Sequence, residues 1–319
     1  ISFFIKGSIV LFVKHLRYRY KLIHIHNVPD FLIFMGFIPK LCGAKLILDI
    51  HDILPEFFCE KFSRQFDSLL PRLLLFIENI SVRFADHVIV SNDLWREKIA
   101  LRNRLPLSKC TTLLNYPILE YFTASKSQSN PNSFRLIYPG TLSYHHGVDI
   151  AIRALALLKG KIPSIFLDIY TRSKNLDYSN SLASLIDQLG VRQIVNICDP
   201  LPTEAMIKEL YKADIGIVPK RAGIFAAEAF STKVLEFMAA GIPVISSRTK
   251  IDQYYFDDSM IMFFESENHE HLAECIYALY KDRSKREFLI SNSKHFILQN
   301  NWELKKAIYF GLIESLTAW

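Results

Sequence analysis

A chain of 319 residues, half of them hydrophobic and 22% charged, carries enough apolar material for sizeable cores and enough length for two domains, which excludes a disordered polypeptide. The net charge of +6 is uneven: Lys6, Lys14, Arg17, Arg19 and Lys21 all precede the first acid, Asp30. An anionic surface is therefore expected as a partner, and membrane phosphate fits better than nucleic acid, because no zinc-finger spacing, aromatic RNA-binding signature or paired recognition helix is present. The cysteines Cys42, Cys59, Cys110, Cys198 and Cys275 are scattered, odd in number and form no C-x-x-C pair, the usage of reduced thiols in a cytoplasmic protein. No apolar run reaches the roughly 18 residues that span a bilayer. Ile1 to Val13 is interrupted by Lys6 and Gly7 and lacks a cleavage site for a signal peptide. The expected location is cytoplasmic, peripheral on the inner face of a membrane.

In chain order, Phe3 to Tyr20 reads as a helix and Lys21 to His26 as a short strand. A helix from about Asp30 to Cys42 and a strand from Lys45 to Ile50 follow. This is a βαβ unit and hence a parallel sheet. His51-Asp52 stands directly beyond the second strand, where ligand crevices of open sheets lie. A lone histidine there is more often a hydrogen-bonded structural residue, and His24 and His26 take that reading more strongly. Leu69 to Phe84 reads as an amphipathic helix, Asp86 to Val90 as a strand and Asp93 to Leu101 as a helix. Ala124 to Ser133, ASKSQSNPNS, has no apolar period and many turn formers, so it reads as an interdomain linker.

The second half opens with a strand, Phe134 to Tyr138, then Pro139 to Gly147 and a helix from Val148 to Leu158. Strand, glycine-bounded loop and helix form an anion-binding layout that is also an ordinary βα turn. Ser164 to Tyr170, Gln193 to Cys198 and Asp214 to Val218 read as further strands, with helices near Ser179 to Leu189 and Thr203 to Lys212. Lys220-Arg221 follow the last of these strands. The stretch Glu228 to Ser247, EAFSTKVLEFMAAGIPVISS, combines paired acids, a helix that starts at Ser231 or Thr232, a stop at Gly241-Ile242-Pro243 and a buried strand. Its helix start would present unpaired N–H groups and the positive dipole end near Lys233, a position that suits phosphate. Helices near His271 to Asp282 and Ser284 to Gln299 precede a final helix with Trp302, Tyr309, Phe310 and Leu312.

Glu228 and Glu236, eight residues apart and followed by a small-residue turn and an apolar strand, resemble the hallmark of the retaining glycosyltransferases of family 4. The two glutamates alone would read as solvated helix acids; STKVLEFMAAGIPVI around them carries the likeness. The resemblance implies an α/β, GT-B fold: two Rossmann-like doubly wound domains facing across a cleft, here residues 1–123 and 134–300 joined by the linker 124–133. Residues 301–319 would form a helix crossing back to the first domain. Family members carry one or two further βα units and a glycine-rich loop before Lys21, so the amino-terminal domain is expected to be incomplete and the chain truncated.

By the same resemblance Glu236 holds the ribose of a nucleotide sugar, Glu228 faces the transferred sugar, and His51 points at the donor sugar. Asp52 and Glu56 then shape the acceptor side. Gly140, Thr141, Ser143, His146, Thr232, Val234 and Leu235 complete the nucleotide-sugar site, and Cys198 to Thr203 receives the base. The family carries an arginine and a lysine where Thr141 and His146 stand. Arg221 and Lys233, the nearest cations, are expected to replace them, since a departing diphosphate must be neutralised. The expected reaction moves a sugar from a UDP- or GDP-linked donor to a glycan or lipid-linked acceptor hydroxyl in bacterial surface polysaccharide or glycolipid assembly. No cofactor and no metal are expected, because no D-x-D pair ends a strand and the His and Cys spacings match no zinc pattern. A catalytically inactive nucleotide-sugar-binding chain that completes or regulates a partner transferase is the alternative. A sugar epimerase would need a different set of acids.

Overall fold

The computed structural model describes residues 2–123, 133–171 and 176–318, so the proposed linker lies, but for Ser133, outside the described residues. The chain divides into two compact units. Ile1–Asn115, Glu228–Phe230 and Lys305–Trp319 form the first, and Tyr116–Ala227 with Ser231–Leu304 the second.

The first unit is built on four parallel strands, β1 (Leu22–His26), β2 (Lys45–Ile50), β3 (His87–Val90) and β4 (Cys110–Thr112), in the order β1-β2-β3-β4. β3 is buried at every position and β2 at all but its first, as expected of strands covered on both faces. The segment after β1 departs from the single helix expected over Asp30 to Cys42: it is a 3-10 helix, Asp30–Gly36, followed by one α-turn, Phe37–Leu41. Pro39 has no N–H to continue an α-helical ladder from above. At Gly36 the backbone presses on β2 so closely that a Cβ would stand 2.7 Å from Leu46 Cδ2. Helix Leu54–Lys61 and strand β4 were not legible, because each is too short to show a period. Helices Leu69–Phe84 and Asp93–Asn103 complete the layers. Among the described residues no helix is long and apolar enough to cross a membrane.

His87 on β3 is 7% exposed, and its Nε2 lies 2.8 Å from Thr111 Oγ1. Burial, reinforced by the Lys109 and Arg96 charges, pushes its pKa down to about 4. The folded state thus refuses a proton that the unfolded chain accepts below about pH 6.5, so stability is full above that value and falls as the pH drops toward 4. Moving from pH 7 to pH 5 should cost the first unit about 2 kcal/mol through this residue. Urea midpoints at the two pH values, compared with those of His87→Gln, check this; an equal loss in the variant would assign the effect elsewhere.

The second unit carries six parallel strands, β5 (Phe134–Pro139), β6 (Ile165–Tyr170), β7 (Val195–Cys198), β8 (Ile215–Val218), β9 (Val244–Ser247) and β10 (Met262–Phe264). Their order is β10-β9-β8-β5-β6-β7. Leu136, Leu167, Ile169, Ile215, Ile217 and Ile245 are fully buried in its core, each stabilising the fold by about 1.5–3 kcal/mol relative to exposure. The order reverses between β5 and β8, the topological switch point at which doubly wound sheets bind ligands beyond their carboxyl ends. The segments leaving β5 and β8 therefore locate the candidate site.

Candidate active site

The segment leaving β5 is drawn against the end of β8 by Gly147. This residue has φ +65°, and a Cβ there would stand 1.9 Å from the Pro219 carbonyl oxygen. Only glycine combines that backbone angle with that approach. Gly147 leads into helix Val148–Leu158, whose first turn holds Asp149. Arg221, just beyond β8, donates Nη1 and Nη2 to the two Asp149 carboxylate oxygens at 3.0 and 2.8 Å. Its guanidinium stacks 3.8 Å from the Tyr144 ring centroid, and its backbone N–H donates to the His145 carbonyl at 2.9 Å. The expected diphosphate cation Arg221 is thus a clamp whose charge Asp149 already matches. Sequence reading missed this, since a cation beside a strand end carries no mark of a carboxylate 72 residues upstream.

His146 Nδ1 lies 2.7 Å from the Thr141 carbonyl, so this nitrogen donates and the ring stitches the loop to itself. Burial first, then the Lys233 and His145 charges, push its pKa down to about 3. His146 is neutral at pH 7 and supplies no charge where the family carries lysine. Ser143 Oγ lies 3.0 Å from His146 Nδ1, and Thr141 is exposed.

Helix Thr232–Ala239 follows, with Ser231 at its N-cap position and no side-chain hydrogen bond closing it. Val234, Leu235, Phe237 and Met238 bury one face. Lys233 and Glu236, i and i+3, project from the other. The expected binding residues Val234 and Leu235 are fully buried core positions, so only their backbone could meet a ligand. Lys233 reaches the β5 segment: a Cβ on Gly140 would stand 2.4 Å from Lys233 Cε and 2.9 Å from Nζ. Its ammonium also lies 5.3 Å from the Tyr138 ring centroid. Burial lowers the Lys233 pKa, Glu236 counteracts this and Lys220 adds to it. Burial raises the Glu236 pKa against the opposing Lys233 charge. Lys220, 6% exposed, is 3.0 Å from Asp252 and is paired with that carboxylate. Lys233 differs: no carboxylate lies within ion-pair distance of it among the described residues.

Glu228 lies in the first unit by its contacts. It is 8% exposed, its carboxylate pairs with Lys98, and its carbonyl accepts from Asn92 Nδ2 at 3.0 Å. Asn92 in turn caps helix Asp93–Asn103, accepting from the Trp95 N–H at 2.9 Å. Lys98 and Arg102, i and i+4 on that helix, extend a ladder of alternating charge. Arg102 Nη1 donates to Glu56 at 2.6 Å, Nε to Glu78 at 2.6 Å, and Lys98 lies 3.7 Å from Glu56. Glu56, expected on the acceptor side, is 3% exposed and held by Arg102, a buried link in this ladder. Lys98, Asn92 and Arg102 had no signal in the sequence, since their partners lie on other elements.

His51 and Asp52 stand beyond β2 as expected. Asn27 ties this end down, its Oδ1 accepting the His51 N–H at 2.9 Å and its Nδ2 donating to the Asp52 carbonyl at 2.7 Å. Asp52 is half-buried, and burial raises its pKa against the His51 charge. His51 Nε2 lies 3.2 Å from Asp49, whose carboxylate, although burial opposes it, is held far below the ordinary range by hydrogen bonds from His24 and His51. That carboxylate raises the His51 pKa. Tyr309 Oη, from the final helix Trp302–Thr317, lies 2.9 Å from His24 Nδ1. Phe310 is half exposed, and the Trp302 N–H donates to the Pro117 carbonyl.

Residues 122–296 match the family model described as glycosyl transferases group 1, and residues 8–115 match that of the glycosyl transferase 4-like domain. A D-inositol 3-phosphate glycosyltransferase of Arthrobacter sp. (strain FB24) is 25% identical over 159 residues, 48% of this chain and 36% of that protein. The aligned region is thus little more than a third of that curated relative. Sucrose-phosphate synthase from Thermosynechococcus elongatus superposes with a TM-score of 0.80 at 18% identity, over 99% of this chain and 79% of that one. Anabaena HepE in complex with UDP does so with 0.76 at 19%, over 95% and 81%. Two parallel-sheet, Rossmann-like units with these neighbours are the GT-B fold. The chain belongs to the group 1 glycosyl transferases.

Proposed function

We propose that the chain transfers a sugar, with retention of configuration, from a nucleotide diphosphate donor to an acceptor hydroxyl, as a member of family 4. The observation that carries this reading is Lys233: a half-buried ammonium with no ion-pair partner among the described residues, held against Gly140 at the switch point of the second sheet. An anion of the size of a diphosphate would satisfy it, next to a helix start that no side chain caps. Lys233 then meets the charge that develops on the leaving group without a metal there, while Glu236, one turn further along, holds the ribose. Glu228 serves the transfer step, and Lys98 pairs with its carboxylate and holds it in place. Sugar transfer onto a glycan or lipid-linked acceptor, in surface polysaccharide or glycolipid assembly at the inner membrane face, fits the basic amino-terminal stretch.

The neutral His146 and the matched Arg221 favour one second reading, a nucleotide-sugar-binding chain without turnover of its own. Calorimetric titration with UDP, GDP and ADP in the presence of a chelator separates the two when combined with a transfer assay. One nucleotide should saturate the protein. Glu236→Ala should weaken that binding by about 1 to 3 kcal/mol, the range for losing hydrogen bonds to a charged group. Glu228→Gln should leave affinity nearly intact and reduce turnover about 100-fold or more, the scale of a lost electrostatic contact in a transition state. Equal effects of the two changes on affinity would undo this division of roles. Binding without any turnover would select the second reading, and no binding by the folded protein would sink both.

A further inference from the structure

β1 and β2 run parallel in a register that pairs His26 with Asp49 and His24 with Ile47. Side chains two residues apart on a strand share a face. His24 and His26 on one strand therefore stand beside Asp49 on the other, with His51 following just beyond β2. The result is a concentrated set of ligating atoms. Asp49 Oδ2 lies 3.0 Å from His26 Nδ1, 3.2 Å from His51 Nε2 and 3.1 Å from His24 Nε2. His26 Nδ1 and His51 Nε2 are 3.1 Å apart. One ligand atom from each of His24, His26 and Asp49 falls within 4.8 Å of the others.

Protons satisfy this arrangement poorly. Asp49 Oδ2, His26 Nδ1 and His51 Nε2 form a triangle with sides of 3.0, 3.1 and 3.2 Å. Each nitrogen holds at most one hydrogen. With a hydrogen on both nitrogens aimed at the carboxylate, the edge between the two imidazoles has no bond. With a hydrogen on only one, a lone pair faces the carboxylate oxygen. A cation bound by all three atoms resolves every edge at once. The dimensions fit: zinc bonds to nitrogen and oxygen of about 2.0–2.1 Å place neighbouring tetrahedral ligands about 3.3 Å apart.

We propose that His26, Asp49 and His51 form a binding site for a divalent transition metal of the zinc type in the first unit, with His24 packed beside it against Asp49. The ligand set is borderline-soft imidazole with one carboxylate, which suits zinc and not calcium or magnesium. Tyr309 and His24 supply the outer support such sites use: the Tyr309 hydroxyl lies 2.9 Å from His24 Nδ1, and His24 Nε2, 3.1 Å from Asp49 Oδ2, donates to the carboxylate and holds it in place. The site is reachable, since the His26 side chain is 60% exposed and that of His51 40%, while Asp49 at 9% anchors its floor. This assigns His51 a partner other than the donor sugar that the family resemblance implies, and it does not depend on the transfer reading.

The test titrates the chelator-treated, desalted protein with zinc alone in competition with a chromophoric chelator, and repeats the titration with cobalt while recording its visible spectrum. One equivalent should bind, cobalt should show the intense bands of tetrahedral nitrogen and oxygen coordination, and zinc should raise the unfolding temperature of the folded chain. His26→Ala, at an exposed position that spares the fold, should weaken zinc at least about 10-fold, as should His51→Ala. His145→Ala, a histidine of the second unit, should leave zinc affinity unchanged. Absence of saturable binding by the folded protein would overturn the assignment, and so would unchanged affinity in both the His26 and His51 variants. Loss of binding in the His145 variant would move the site to the other unit and overturn it equally.

Discussion

Replacing Lys233 by methionine should weaken nucleotide diphosphate binding about 10- to 150-fold, the equivalent of about 1.5 to 3 kcal/mol for contacts to a charged group. Methionine keeps the apolar stem beside Gly140 and Tyr138 and deletes only the ammonium, so the change reports charge and not packing. The magnitude is expected to be large because Lys233 is the cation near the β5 segment that no carboxylate already pairs among the described residues. Arg221 is tied to Asp149 at two oxygens and Lys220 to Asp252. Titration linkage gives a second signature. Burial lowers the Lys233 pKa in the free protein, and an anion placed against it would raise it again, so binding at alkaline pH should take up protons. Calorimetry in two buffers of different ionisation heat measures this uptake; it should vanish in the methionine variant. Full affinity in that variant would return Lys233 to the role of an ordinary interior lysine.

Gly147→Ala should destabilise the second unit by about 2 to 5 kcal/mol, the sum of a left-handed backbone cost of about 1–2 kcal/mol and an overpacking cost of about 1–3 kcal/mol. The methyl group would have to occupy space 1.9 Å from the Pro219 carbonyl oxygen, and neither backbone segment can yield without moving β5 relative to β8. The loop that presents Gly140 to Lys233 would shift with it, so nucleotide affinity should fall together with the melting temperature of that unit. Gly241 is also at positive φ, but a Cβ there would meet nothing within 4 Å, so Gly241→Ala supplies the control for backbone strain without crowding. A loss no larger than in that control would show that the Pro219 approach relaxes.

Much of the architecture was legible from local pattern. Strands such as Leu46 to Ile50 and Ile215 to Val218 are unbroken apolar runs but for Asp49 and Gly216, which only a sheet covered on both faces accommodates, and helix Thr232–Ala239 shows its buried stripe in its spacing. The resemblance carried by Glu228 to Ser247 pointed to the GT-B fold, which the two sheets and their order display. The segment Asp30 to Cys42 was misread because apolar residues at helical spacing mark a buried face and not the ladder beneath it, which Gly36 and Pro39 interrupt.

The chemistry at the sites followed a different rule. Residue type and position were present in the sequence for His51 and Arg221, which follow strand ends, and for Lys233, which stands at a helix start. The partners of those residues were not. Arg221 meets Asp149 across 72 positions, Lys98 meets Glu228 across 130, and His24 meets Tyr309 across 285. Whether a charge is free for a substrate or already matched depends on which carboxylate the packing brings within about 3 Å, and electrostatic energy at that range changes steeply with distance and burial. The residues His24, His26, Asp49 and His51 around the ends of β1 and β2 show the same division: their side-chain types stand in the sequence, while the register of the two parallel strands brings His26 beside Asp49, with His51 just beyond.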